Sequence, residues 1–119
     1  MFKIHPDMDA ALWRILDGDR KGRLVLPEGH DPAWGQAVRE RFAETLRDTT
    51  SRVVFLERQS HDDCMRLFTL SDVVLDSYPF SGGNTTYQAN AMGVPVVTRS
   101  GRYLPGRFST ATFERMGMS

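Results

Sequence analysis

The stretch Asp76-Ser77-Tyr78-Pro79-Phe80-Ser81-Gly82-Gly83-Asn84-Thr85-Thr86 carries the densest chemistry in the chain. It follows a short apolar run, Val73-Val74-Leu75, and precedes a segment with helical spacing over residues 84–92. At the carboxyl end of a strand in an open α/β sheet, such a turn stands where ligands bind. Two adjacent glycines permit positive φ and a close approach of backbone to ligand. Asn84 is a good N-cap type, while Thr85 and Thr86 bring hydroxyls and unpaired N–H groups to a first helical turn. Those amides and the helix dipole together suit a phosphate or pyrophosphate. An ordinary strand–turn–helix, with Gly-Gly-Asn serving only as turn chemistry, fits the same residues equally well. The turn lacks the Gly-Lys-Ser/Thr ending of a Walker A loop and does not match G-x-G-x-x-G.

Other chemistry-bearing side chains are scattered. Residues 99–119 hold Arg99, Arg102, Arg107 and Arg115 against the single acid Glu114. Such a cluster beside an anion site would steer a negatively charged ligand, although scattered surface arginines explain it as well. Arg107 opens the last helical segment, the wrong end for the dipole, so a partner is expected there. His5 and His30 have no second ligand at useful spacing and read as solvated loop histidines, so no metal site is expected. Asp72 and Asp76 bracket an apolar run and read as turn caps. Cys64, the only cysteine, excludes an internal disulfide and a Cys-based zinc site, and its helical position reads as core.

Four short apolar runs must position these groups: Arg23–Leu26, Arg52–Leu56, Asp72–Asp76 and Val94–Thr98. Each is apolar on both faces, as buried parallel strands are. Amphipathic segments separate them. Residues 8–17 align Met8, Leu12, Ile15 and Leu16, and residues 33–46 align Trp34, Val38, Phe42 and Leu46. Residues 61–70 carry Cys64, Met65, Leu67, Phe68 and Leu70, and further helices are expected over 84–92 and 108–117. Asp31-Pro32 should cap the second helix, and Ser60 with Asp63 reads as a capping box for the third. Alternating strands and helices demand a parallel sheet with right-handed crossovers.

With Lys+Arg 15 and Asp+Glu 15 in 119 residues, the formal net charge is zero, which argues against a nucleic-acid reader. Apolar residues are 40% and charged residues 25%, the proportions of a globular chain. The apolar runs fall far short of the roughly 20 residues that a membrane helix needs. A cytoplasmic α/β protein of one partial domain, residues 1–119, is expected, without nucleic acid or membrane as partner. Both ends read as cut: Phe2-Lys3-Ile4 is short for an opening strand, and no strand follows the final helix.

Five ordered stretches carry a resemblance: Phe2-Lys3-Ile4-His5-Pro6, Asp72-Val73-Val74-Leu75-Asp76, Pro79 to Thr86, Gly93-Val94-Pro95-Val96-Val97-Thr98, and Gly101-Arg102-Tyr103-Leu104-Pro105-Gly106-Arg107. Together they resemble the bacterial branch of the protein O-GlcNAc transferase family, glycosyltransferase family 41. The resemblance implies the C-terminal half of a GT-B fold, truncated at both ends. That half would be a Rossmann-like parallel sheet of four to five strands with helices on both faces.

The resemblance also implies roles. Lys3 falls where the family has a lysine on the sugar-nucleotide pyrophosphate, and would act as the catalytic cation. Gly82, Gly83, Asn84, Thr85 and Thr86 fall on the pyrophosphate turn. Gln88 stands where many relatives have a ribose-binding glutamate, a departure that exchanges a charge-assisted bond for a neutral one of about half the strength. Gln59 and His61 lie in the segment that contacts the base, although His61 reads equally as a first-turn helix residue. Arg107 is taken as a nucleotide-sugar contact.

The implied function is donor binding within an inverting glycosyltransferase that moves N-acetylglucosamine from a UDP-sugar to Ser or Thr hydroxyls of a protein. No metal or other cofactor is expected. The acceptor protein or peptide would be held by an N-terminal half, and the fragment alone would be inactive. A non-catalytic nucleotide-binding or interaction fragment is the alternative, as is a relative that uses GDP-fucose or UDP-glucose. An exposed sheet edge would allow a homodimer.

Overall fold

The computed structural model describes residues 3–118, so Phe2 of the first motif lies outside the described residues. The chain forms two compact units, one running to Gln59 and one starting at Ser60. No helix among the described residues is long and apolar enough to cross a membrane.

The first unit contains α1 (Asp9–Gly18), β1 (Leu24–Pro27), α2 (Pro32–Thr45) and β2 (Val53–Leu56). β1 and β2 pair in parallel, with Leu24 opposite Val53 and Pro27 opposite Leu56. Four-residue spacing puts Leu12 and Leu16 of α1, and Val38 and Phe42 of α2, into the core with Leu46. Ile15 and Trp34, expected on the same faces, stay exposed instead. Asp31 accepts the Ala33 N–H at 2.9 Å and Pro32 opens α2, the cap its sequence called for. At the far end of α1 the Arg52 guanidinium donates to the carbonyls of Leu16, Asp19 and Gly22. A cation there satisfies carbonyls that the helix leaves unpaired and opposes the negative end of its dipole.

The Asp9 carboxylate is buried and needs compensation. Arg41 donates to it from Nε at 2.9 Å and from Nη2 at 3.1 Å, and the Thr45 hydroxyl donates at 2.9 Å. The same Arg41 guanidinium holds the Ile4 carbonyl at 2.8 Å, which ties the segment beside Lys3 to α2.

The second unit contains α3 (His61–Leu70), β3 (Val74–Leu75), α4 (Asn84–Ala91), β4 (Val96–Val97) and α5 (Phe108–Arg115). β3 and β4 are parallel, with Val74 opposite Val96 and Leu75 opposite Val97. Gly93 and Gly117, with φ of 73° and 74°, stop α4 and α5 in the left-handed conformation that glycine adopts without strain. Ser60 accepts the Asp63 N–H at 3.1 Å, and its hydroxyl donates to the Asp63 carboxylate at 2.8 Å. The box is half formed because aspartate is one carbon too short to reach back to the cap's own N–H.

The α/β class holds, but the sheet needs correcting. Among the described residues four strands form and both pairings are parallel, yet the ladders are β1–β2 and β3–β4, two strands each, instead of one sheet of four to five. β3 and β4 keep only two residues each. Pro95 lacks an N–H to donate to the partner strand, so the ladder has no further rung on that side. The strands are also not buried on both faces: every residue of β2 is half-buried, and Val25 and Val97 are exposed. On α3 the expected apolar face is likewise only half-buried, Cys64 included, and Leu70 is exposed.

Candidate functional site

The turn between β3 and α4 is built around one carboxylate. Asp76, the residue after β3, accepts the Gly82 N–H at 2.6 Å on Oδ1. Its Oδ2 accepts the Ser81 hydroxyl at 2.8 Å and the Thr98 hydroxyl, just beyond β4, at 2.7 Å. The expected turn-capping role of Asp76 is therefore met, with two hydroxyl partners the sequence did not reveal. A Cβ on Gly82 would sit 3.0 Å from Asp76 Oδ1 and 3.3 Å from Thr86 Oγ1, so a larger residue here would press on both side chains.

Behind the turn lies a buried hydroxyl cluster. Ser109 Oγ, in the first turn of α5 and fully buried, lies 2.9 Å from Ser81 Oγ and 2.6 Å from Thr86 Oγ1. It donates to the Gly82 carbonyl at 3.1 Å, and the Ser109 N–H donates to Ser81 Oγ at 3.0 Å. Each hydroxyl has one proton to give. The Ser81 hydroxyl donates to Asp76, and between Thr86 and Ser109 either hydroxyl can be the donor. The Thr86 hydroxyl is thus turned inward, 2% exposed, and only its backbone belongs to the outer surface of the turn.

Asn84 is not the N-cap. Gly83 holds that position, without a side-chain cap bond, and Asn84 is the first helical residue, with its side chain exposed. The chain enters the helix one residue early because Asp76 already fixes Gly82. Among the described residues no protein acceptor lies within reach of the N–H groups of Gly83, Asn84 and Thr85. A Cβ on Gly83 would meet nothing within 4 Å, so the space beside that residue is open. Three N–H groups at a helix start, facing solvent across a glycine, form a cradle for an anion. Hydrogen bonds from such donors to a charged acceptor contribute about 1.5–3 kcal/mol each, against about 0.3–1 kcal/mol for the dipole alone. The amides, and hence the turn geometry, dominate.

Gly82, Thr85 and Thr86 line a recess of about 90 Å³ with Val74, Leu75, Asp76, Ser77 and Val96. Gly83 also borders a groove of about 280 Å³ lined by Tyr87, Phe108, Ala111, Thr112 and Arg115. Gln88, in the middle of α4, is half-buried. Arg107 is exposed at the N-cap of α5, and the Arg99 guanidinium lies 4.6 Å from the centre of the Tyr78 ring. His61 is the exposed first residue of α3. Lys3 and Gln59 belong to the first unit: Lys3 is half-buried with its carbonyl bonded to the His5 N–H, and Gln59 Nε2 donates to the Glu57 carbonyl at 2.6 Å. Of the predicted site residues on this turn, Gly83, Asn84 and Thr85 carry the open amides, while the Gly82 N–H is bonded to Asp76 and the Thr86 N–H to the Gly83 carbonyl. Among the described residues no group of three His, Cys, Asp or Glu side chains could hold a metal ion.

Ser81, Thr98 and Ser109 were missed as site residues. Ser81 could have been found from its place five residues after an aspartate and directly before two glycines. For Ser109, 28 residues beyond Ser81, the sequence held no signal.

No family model matches the chain. Curated relatives do. The chain is 30% identical, over 98% of its length, to a probable UDP-N-acetylglucosamine–peptide N-acetylglucosaminyltransferase SPINDLY of Hordeum vulgare. It is 36% identical, over 83% of its length, to the protein of the same description from Petunia hybrida. The chain spans only 12% and 11% of those relatives. Among solved structures, a lysine-to-methionine mutant of the Thermobaculum terrenum O-GlcNAc transferase superposes with a TM-score of 0.86 at 28% identity. That match covers 98% of this chain and 22% of the other.

Proposed function

This chain is a relative of the protein O-GlcNAc transferase-like family along one segment of that family's length, and on that premise we propose that it binds the donor in a glycosyltransferase. The donor is a UDP-sugar, with N-acetylglucosamine as the sugar and Ser or Thr hydroxyls of a protein as the acceptor. The observation that carries this reading is the open cradle of Gly83, Asn84 and Thr85 amides, held from behind by Asp76. A diphosphate seated there gains donors that need no reorganisation as charge develops on the leaving group.

The chemistry is a direct displacement with inversion. The acceptor oxygen attacks the anomeric carbon, the bond to the diphosphate breaks, and its electrons stay on the departing UDP. Lys3 supplies a cation toward that charge, and Arg107 adds to the positive field. No metal takes part in this scheme. Gln88 accepts from one ribose hydroxyl, and Gln59 and His61 meet the uracil. The acceptor and the general base belong to other parts of a longer cytoplasmic protein. A homodimer formed along a strand edge is part of the same proposal.

Amide chemical shifts of the labelled chain, followed in parallel titrations with UDP, GDP and inorganic phosphate, test the reading. Saturable shifts with UDP over Gly83–Thr86 and Gln59–His61, absent with GDP, are expected. A Gln88→Glu variant should bind UDP about two- to tenfold more tightly, because a carboxylate restores the charge-assisted bond. Equal affinity in that variant removes Gln88 from the ribose site. Absence of shifts with every ligand overturns the donor reading.

A further inference from the structure

We infer that Ser109 is a positioning residue for the anion cradle, setting its affinity through the Gly82–Thr86 turn without touching the ligand. The inference rests on the donor reading above and adds to it a residue that carries no role in that scheme.

The geometry is specific. Ser109 is fully buried, and its hydroxyl meets three groups of one short turn: Ser81 Oγ at 2.9 Å, Thr86 Oγ1 at 2.6 Å and the Gly82 carbonyl at 3.1 Å. Its own N–H adds a fourth contact, to Ser81 Oγ at 3.0 Å. The turn is thus gripped at Ser81, before the glycines, and at Thr86, just after the open amides of Gly83, Asn84 and Thr85. α5 therefore fixes both ends of the peptide that presents the donors. Asp76 holds Ser81 and Gly82 but does not reach Thr86, whereas Ser109 bonds to both Ser81 and Thr86 and so joins the entry of the turn to the helix behind it.

Removal of the Ser109 hydroxyl leaves Thr86 Oγ1 with only the Gly82 carbonyl, at 3.5 Å and poorly placed. The first turn of α4 is then free to shift, and the three amides lose their common focus. Preorganised donors owe their strength to being fixed before the ligand arrives, so affinity falls even though no ligand contact is deleted.

The test uses the full 119-residue chain and two ligands, UDP and inorganic pyrophosphate. Ser109→Ala is expected to weaken both by about tenfold. Amide hydrogen exchange without ligand gives a second readout. The Gly82 N–H, protected by Asp76, should exchange about tenfold faster in Ser109→Ala, while β1 and β2 amides keep their rates. Ser109→Cys keeps the volume and a weak donor, so it should fall between the two. It also stands in if Ser109→Ala does not fold.

Unchanged affinity in a folded variant, with Gly82 exchange raised, overturns the positioning role. A uniform rise in exchange across β1, β2 and the turn assigns Ser109 to general stability and overturns it too. If the unaltered chain binds neither ligand, the donor reading falls and takes the link between Ser109 and affinity with it. Gly82 exchange unaltered in both variants overturns the inference while leaving the donor reading intact.

Discussion

Asp76→Asn is expected to lower stability by about 2–3 kcal/mol and to weaken UDP binding by tenfold or more. The carboxylate accepts three donors, from Gly82, Ser81 and Thr98. An asparagine has one carbonyl for them, and its amide turns donors toward donors. At least one hydroxyl or N–H is left without an acceptor in a half-buried site, which is the costly arrangement. Urea unfolding and UDP titration of the same sample read both effects. Asp72→Asn, at an exposed position ahead of β3, should stay within about 0.5 kcal/mol of the unaltered chain. Equal losses in the two variants would mean that general charge, and not the three bonds, matters.

Phe42→Ala is expected to cost about 3–5 kcal/mol, the largest loss of stability for a single truncation here. Phe42 is 1% exposed and its ring centre lies 6.4 Å from that of Phe55 on β2. Among the described residues the first unit has Leu12, Leu16, Val38 and Leu46 as further buried hydrophobic residues, so little can move in to fill the cavity. Thermal unfolding followed by far-UV circular dichroism measures the change. A loss below about 1 kcal/mol would mean that α1 and α2 collapse onto the space without strain.

Helices were legible in the sequence because their signals are local. α3 begins and ends where Ser60 and the apolar spacing place it, and α2 starts at Asp31-Pro32. Strands were legible in position but not in extent. β3 and β4 were read as five residues and hold two, because a ladder's length depends on what its partner can offer, and Pro95 offers no N–H. The likeness to O-GlcNAc transferase-like proteins was also legible, since five motifs in order survive any error in boundaries.

The interior of the site was not legible. The sequence suggested that Thr86 offers its hydroxyl to a ligand, whereas Ser109, 23 residues later, draws it inward. Asn84 looked like the cap, but the cap falls on Gly83 once Asp76 has fixed the residue before it. Both outcomes depend on tertiary hydrogen bonds, which composition and spacing do not encode. Gly106 is a similar case. A Cβ there would run into the Pro79 carbonyl oxygen, so the Gly101–Arg107 motif is shaped by how closely it passes the turn.

The central claim is that the open amides at the start of α4 hold a diphosphate. A crystal structure of the chain with UDP tests it most directly. Phosphate oxygens are expected within about 3 Å of the Gly83, Asn84 and Thr85 nitrogens, with the Asp76 and Ser109 bonds intact. UDP seated elsewhere on the chain, with those amides facing only water, would contradict the account.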